Sequence, residues 1–262
     1  MSTQRPSPQR IAVIGVAGIP EVTPGDRLGD LFVTAASEQG DAFTDGDVLI
    51  VAQKVVSKSE NRFVELASVT PSQRAIDFAG PSGKDPRLVQ LVFDQSKAVV
   101  REDRGRGILI TETQHGFVCA NAGIDGSNVA GDDTVLLLPE DPDRSARDLA
   151  ADIRSQTGLK QLGVVIADTF GRPWREGHTD VAIGVAGLRP ILDYRGTNDA
   201  LGKVLRVTEI AVVDELAGAG ELVMGKATGI PVAIVRGVSP ELLTKPGTAS
   251  DLVRARENDL FR

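Results

Sequence analysis

The stretch VVIADTFGRPWREG, residues 164–177, sets the architecture. Val164, Val165, Ile166 and Ala167 form a short apolar run that predicts a buried strand ending at Asp168. Asp168 and Thr169 follow, then a turn-like Gly171-Arg172-Pro173 and Trp174, the single tryptophan. A carboxylate beside a hydroxyl at a strand end can share a hard cation, and magnesium and manganese prefer such oxygen donors. Arg172 and Arg175 can clamp carboxylates or phosphates through their planar forks. The plainer alternative is a helix N-cap aspartate followed by solvated arginines.

Outward from this strand, the 262-residue chain alternates helices and strands in a mixed order. DVLIVA (47–52) and IPVAIVRG (230–237) predict two more buried strands. DPDRSARDLAADIRSQTG (141–158) predicts the clearest helix. Ala146, Leu149, Ala150 and Ile153 fall at helical spacing, Asp143 or Ser145 can cap it, and Gly158 stops it. Residues 28–36 predict a helix ending near Gly40. Helices are also expected from Thr70, with Pro71 in its first turn, over 86–96, and from near Thr208. QKVVSKSENRFVEL (53–66) reads as an extended segment broken at 57–61. AVVRED, RGILITET and GFVCANAG predict an antiparallel meander, and DTVLLLPED a further strand. The class is α+β, with mixed and antiparallel sheets flanked by helices. A soft boundary between two subdomains is expected near 140–145. Residues 1–10 read as a frayed polar tail, and 11–262 as one unit.

Composition excludes several functions. The net charge of −7 argues against a general nucleic-acid binder, which needs a basic face to displace counterions. One cysteine, Cys119, excludes an internal disulfide framework, and two histidines argue against a His-rich metal site. Cys119 follows an apolar Phe-Val pair and reads as a small core residue. No segment has the length of a membrane span or of a secretory signal, so a cytoplasmic protein is expected.

Three further stretches can carry chemistry. CANAGIDGSN (119–128) sets Asp125 and Asn128 among glycines, where the backbone can approach a cation or a phosphate, although such residues also simply make turns. QKVVSKSENR carries Lys54 and Lys58 four apart at the mouth of the 47–52 strand, without the glycines of a Walker loop. MGKATGIP (224–231) places Lys226 and Thr228 between Gly225 and Gly229 at a helix-to-strand junction, where a helix C-terminus repels anions.

Taken together, GIPE (18–21), KVVSKSENR (54–62), NAGIDGSN (121–128), ADTFGRPWREG (167–177), TDVAIGVAG (179–187) and ELVMGKATGIPVAIVRG (221–237) resemble the coenzyme F-420:L-glutamate ligase family in that order. The resemblance covers nearly the whole chain after its polar start. It implies a GTP-dependent ligase that adds L-glutamate to the deazaflavin F-420-0, then further γ-linked glutamates, through an acyl phosphate. It also implies two magnesium or manganese ions, stimulation by potassium, and an intertwined homodimer. By the same resemblance Asp125 and Asp168 bind metal with Thr169, and Lys58 and Asn128 contact the nucleotide. Two loops would contact it as well: Ile19, Pro20, Glu21 and Val22, and then Met224, Gly225, Lys226, Ala227, Thr228, Gly229, Ile230 and Pro231.

Two positions depart from the pattern. Gln53 stands where a serine or threonine is usual, and Lys226 where a glutamine is also found. A protonated lysine cannot ligate a cation. Arg172, Arg175 and His178 are the expected holders of the incoming glutamate. Rival readings are a ligase or kinase of the same scaffold with another carboxylate substrate, and a non-catalytic nucleotide-binding protein.

Overall fold

The computed structural model describes residues 10–126, 131 and 133–261. In chain order it contains β1 (Ala12–Gly15), α1 (Leu28–Gln39), β2 (Val48–Ala52), α2 (Gln53–Ser59), β3 (Phe63–Glu65), α3 (Gln73–Ala79) and α4 (Pro86–Asp94). The meander β4 (Ser96–Asp103), β5 (Ile108–Thr113) and β6 (Val118–Ala120) follows, then β7 (Thr134–Leu136) and α5 (Pro142–Thr157). The last elements are β8 (Gly163–Arg172), β9 (Arg175–Ala186), β10 (Leu192–Asp193), β11 (Glu209–Ile210), α6 (Val212–Met224) and β12 (Val232–Arg236).

The main sheet has the order β1-β12-β2-β8-β9, with β2 and β8 parallel and every other pair antiparallel. Its central strands are apolar throughout because both faces are covered. Leu49, Val51, Val164 and Ile166 pack with Phe32 of α1 and with Leu149 and Ile153 of α5. Val48, Ile50, Val165 and Ala167 pack with Val213, Leu216 and Ala217 of α6 on the other face. At Gly220 of α6 an added Cβ would lie 2.8 Å from Ile50, so this helix seats closely only because the side chain is absent. α3 and α4 pack on the meander through Phe78, Val89, Val92 and Leu109. The mixed α+β class and the antiparallel meander agree with the sequence reading.

Several local expectations change. Residues 53–59 form helix α2, not an extended segment. The Val55-Val56 pair suggests a strand, but Gln53, Val56 and Ser57 are buried at helical spacing, and Gln53 donates to Ser57 Oγ at 2.5 Å. β8 does not end at Asp168; it runs to Arg172 and turns through Pro173 and Trp174 into β9. Trp174 has φ +59°, and a proline followed by a positive-φ residue is the type II turn pattern. α3 starts at Gln73, capped by Ser72. α6 starts at Val212 because Glu209–Ile210 pair with Leu192–Asp193. Asp141, not Asp143 or Ser145, caps α5. Asp143 instead accepts from the amides of Val185 and Ala249. Residues 140–145 hold the start of α5. The C-terminal segment forms three short 3-10 turns. Among the described residues, no helix is long and apolar enough to cross a membrane.

Candidate active site

Strand direction brings the sequence motifs together. β1 ends, β2 ends and β12 begins at the same edge of the main sheet, and parallel β8 reaches Asp168 there. Open sheets bind ligands beyond the carboxyl ends of their parallel strands. A cleft of about 810 Å³ lies at this edge. Its walls are the loop carrying Ile19, Pro20, Glu21 and Val22, the first two turns of α2, Asp125, the outer part of the β8–β9 hairpin, and the loop after α6.

Each wall has a local cause. β2 passes directly into α2, whose 3.6-residue turn puts Lys54 and Lys58 on one face, both lining the cleft. Lys58 is buried and ion-paired with Glu21. Lys54 Nζ lies 2.6 Å from Asp125 Oδ2. Asn121, Ala122 and Gly123 all take positive φ, a tight turn that re-aims the chain before Asp125. A Cβ at Gly123 would meet Leu138 at 2.9 Å. Asp125 is then fixed by paired backbone hydrogen bonds to Leu136, at 3.0 and 2.8 Å.

In the hairpin, Asp168 faces Val181 and Thr169 faces Asp180. Thr169 donates its hydroxyl to Asp180 Oδ1 at 2.5 Å, and its amide to Asp168 Oδ1 at 2.8 Å. Lys226 Nζ contacts the Thr169 hydroxyl, with Glu221 at 3.4 Å and Asp180 at 3.5 Å. Burial pushes the Asp168 carboxyl up to about 6, and the charges of Asp180 and Asp125 add to that; the Thr169 amide and Lys54 oppose it.

The cleft therefore gathers Asp125, Asp168, Thr169, Lys58, His178, the whole of the first expected nucleotide loop and the second except Thr228. Thr228 is not on its wall; its hydroxyl donates to the Met224 carbonyl. Asn128 lies outside the described residues. Arg172 and Arg175 lie at the hairpin tip and do not line the cleft. Arg172 donates to the Glu176 carbonyl at 2.5 Å and the Gly177 carbonyl at 3.3 Å. Gln53 borders the cleft, but its amide donates to Ser57 and to the Leu137 carbonyl. Asp180 and Glu221 were not anticipated. For Asp180 a signal existed: DVAIGVA mirrors VVIAD, a carboxylate at the end of a two-sided apolar strand.

Half-buried carboxylates that repel one another, as Asp125 and Asp168 do, fit a cation, which would relieve that repulsion. Among the described residues, no three His, Cys, Asp or Glu side chains are grouped to hold one ion. An ion at Asp125 and Asp168 would need further oxygens from phosphate and water, as magnesium sites commonly have. Cys119 is buried, with its thiol pushed up to about 12 by burial and then by the Asp168 charge, so it is no nucleophile. A smaller recess of about 290 Å³, walled by Phe117, Phe170 and Val181, holds none of the motif lysines or of the paired Asp125 and Asp168.

The sequence profile of F420-0:Gamma-glutamyl ligase matches residues 17–237, which span every wall of the cleft. The chain belongs to this ligase family. It is 45% identical to the coenzyme F420:L-glutamate ligase of Methanothermobacter thermautotrophicus, over 96% of this chain and 99% of that protein. It is 44% identical to that of Methanopyrus kandleri, over 92% and 94% of the two chains. Against the Methanocaldococcus jannaschii protein of the same name, the identity is 42% over 83% and 85%.

Proposed function

We propose that this ligase joins L-glutamate to coenzyme F-420-0, and then further glutamates through their γ-carboxylates, using GTP. The observation that carries the reading is the convergence of Lys58, Asp125, Asp168 and the 224–231 loop on one cleft. A nucleotide triphosphate needs both cationic side chains and carboxylate-held metal, and the cleft has the donors for both.

The chemistry balances in two steps. An acceptor carboxylate oxygen attacks the γ-phosphorus of GTP; the bond to the β-phosphate oxygen breaks and GDP leaves with the electron pair. The amine of glutamate then attacks the activated carbonyl carbon, the amide forms, phosphate leaves, and the amine proton passes to solvent. Lys58 would hold phosphate oxygens, and the 19–22 and 224–231 loops would enclose the nucleotide. Asp125 and Asp168 would hold magnesium or manganese, which would neutralise charge on the phosphates. Asp125 and Asp168 would repel the acceptor's carboxylate until that cation is bound.

The test is incubation with F-420-0, glutamate, GTP and manganese, read by mass spectrometry. Mass increments of glutamyl units, with GDP and phosphate released, are expected. GTP turnover only with a different carboxylate would shift the substrate, and no turnover by a folded protein would sink the enzyme reading. The proposal includes a homodimer. The segment from β10 to β11 exposes Leu201 (95%) and Val207 (85%), apolar surface that a second copy would cover. The assayed protein is expected to sediment at twice the chain mass.

A further inference from the structure

The two carboxylate-bearing halves of the cleft are not equivalent. In one, Asp125 and Asp168 converge, with Lys54 on the Asp125 side. In the other, one ammonium from the chain is shared by three oxygens. Lys226 Nζ contacts Thr169 Oγ1, Asp180 Oδ1 and Glu221 Oε1. A lysine ammonium has three donors and no acceptor, and here three oxygens surround it. Asp180 is 4% exposed, and a carboxylate that buried requires a countercharge. Thr169 donates its proton to Asp180, so its oxygen must serve either Lys226 or a metal ion. Lys226 already occupies that oxygen, so a divalent ion bound there would have to displace the ammonium or be repelled by it.

We infer that the Lys226 ammonium is the resident cation at Thr169, Asp180 and Glu221, so that each chain takes up one divalent ion, between Asp125 and Asp168, where the family resemblance implies two. This rests on the cleft being a metal site. Lys226 thereby supplies positive charge at fixed stoichiometry on the loop that also closes over the nucleotide. It also counters the negative end of α6, which terminates at Met224 beside the same loop.

Manganese titrated into the intact protein with GDP present, with free ion counted by electron paramagnetic resonance, tests the inference without any turnover. One ion per chain is expected for the natural protein and for Lys226→Arg. Two are expected for Lys226→Gln, which removes the charge and offers a carbonyl oxygen suited to a hard cation. Thermal melts confirm that the variants fold. Two ions in the natural protein overturn the inference, as does a single ion in Lys226→Gln. Failure to bind any manganese is a different result: it removes the metal site itself, and with it that part of the proposed function.

Discussion

The main sheet carries an aspartate at each of two opposite edges, and the chain treats them differently. Asp47, just before β2, is 1% exposed. Arg236 at the end of β12 binds both its oxygens, at 2.9 and 2.8 Å, and Thr44 donates its amide at 2.8 Å and its hydroxyl at 3.1 Å. Asp168, at the far edge, accepts one backbone amide and is crowded by Asp180 and Asp125. One edge closes the chain on itself, and at the other Asp168 keeps a carboxylate crowded by like charge, which an added cation would relieve. Burial alone therefore does not mark a functional acid; the deficit of partners does.

The largest effect should come from breaking the second edge. Asp168→Asn is expected to lower glutamyl transfer about a thousandfold, the scale of losing one organising charge in a polar site. The metal-free protein should melt no lower than the natural one. Activity within tenfold of the natural protein would take Asp168 out of the chemistry and leave the two edges alike.

Breaking the first edge should do the reverse. Asp47→Ala leaves Arg236 facing an emptied site and is expected to cost about 4 kcal/mol, as for other broken buried pairs. The urea midpoint should fall while turnover per folded molecule stays within twofold. A loss under about 1 kcal/mol would make the Asp47–Arg236 pair incidental.

The contrast also explains what the sequence revealed. Two-sided apolar strands such as 48–52 and 163–167 announce themselves, because burial on both faces removes polar residues from the run. α5 is equally plain, with a stripe at helical spacing and a glycine stop. The hairpin is not. Gly171 and Pro173 look like terminators, and the outer half of β9 carries Arg175, Glu176 and His178 because it is exposed. Tertiary pairing, not local propensity, carries β8 past Asp168. Lys54 and Lys58 were visible as a pair, but their common face required α2 to be a helix. Asp180 and Glu221 acquire meaning only through Lys226 and Thr169, contacts between segments far apart in the chain.

The smallest prediction concerns pH and compares the edges directly. In the metal-free protein the folded Asp168 carboxyl has been pushed from 3.8 up to about 6. Above pH 6 it is ionised in both folded and unfolded chains, but the folded site disfavours the charge. As pH falls through 6 the folded protein takes up a proton before the unfolded chain does, and the penalty fades. Asp168→Asn should therefore be the more stable protein at pH 7.5, by up to about 3 kcal/mol, and the gain should shrink below about 1 kcal/mol by pH 4. Saturating manganese should reverse the order at pH 7.5, since the ion binds the ionised carboxylate and not the amide. Denaturation of both proteins across this range, with and without the ion, reads the difference. If Asp168→Asn gains nothing at pH 7.5, Asp168 is as well satisfied as Asp47, and the distinction between a structural edge and a functional edge fails.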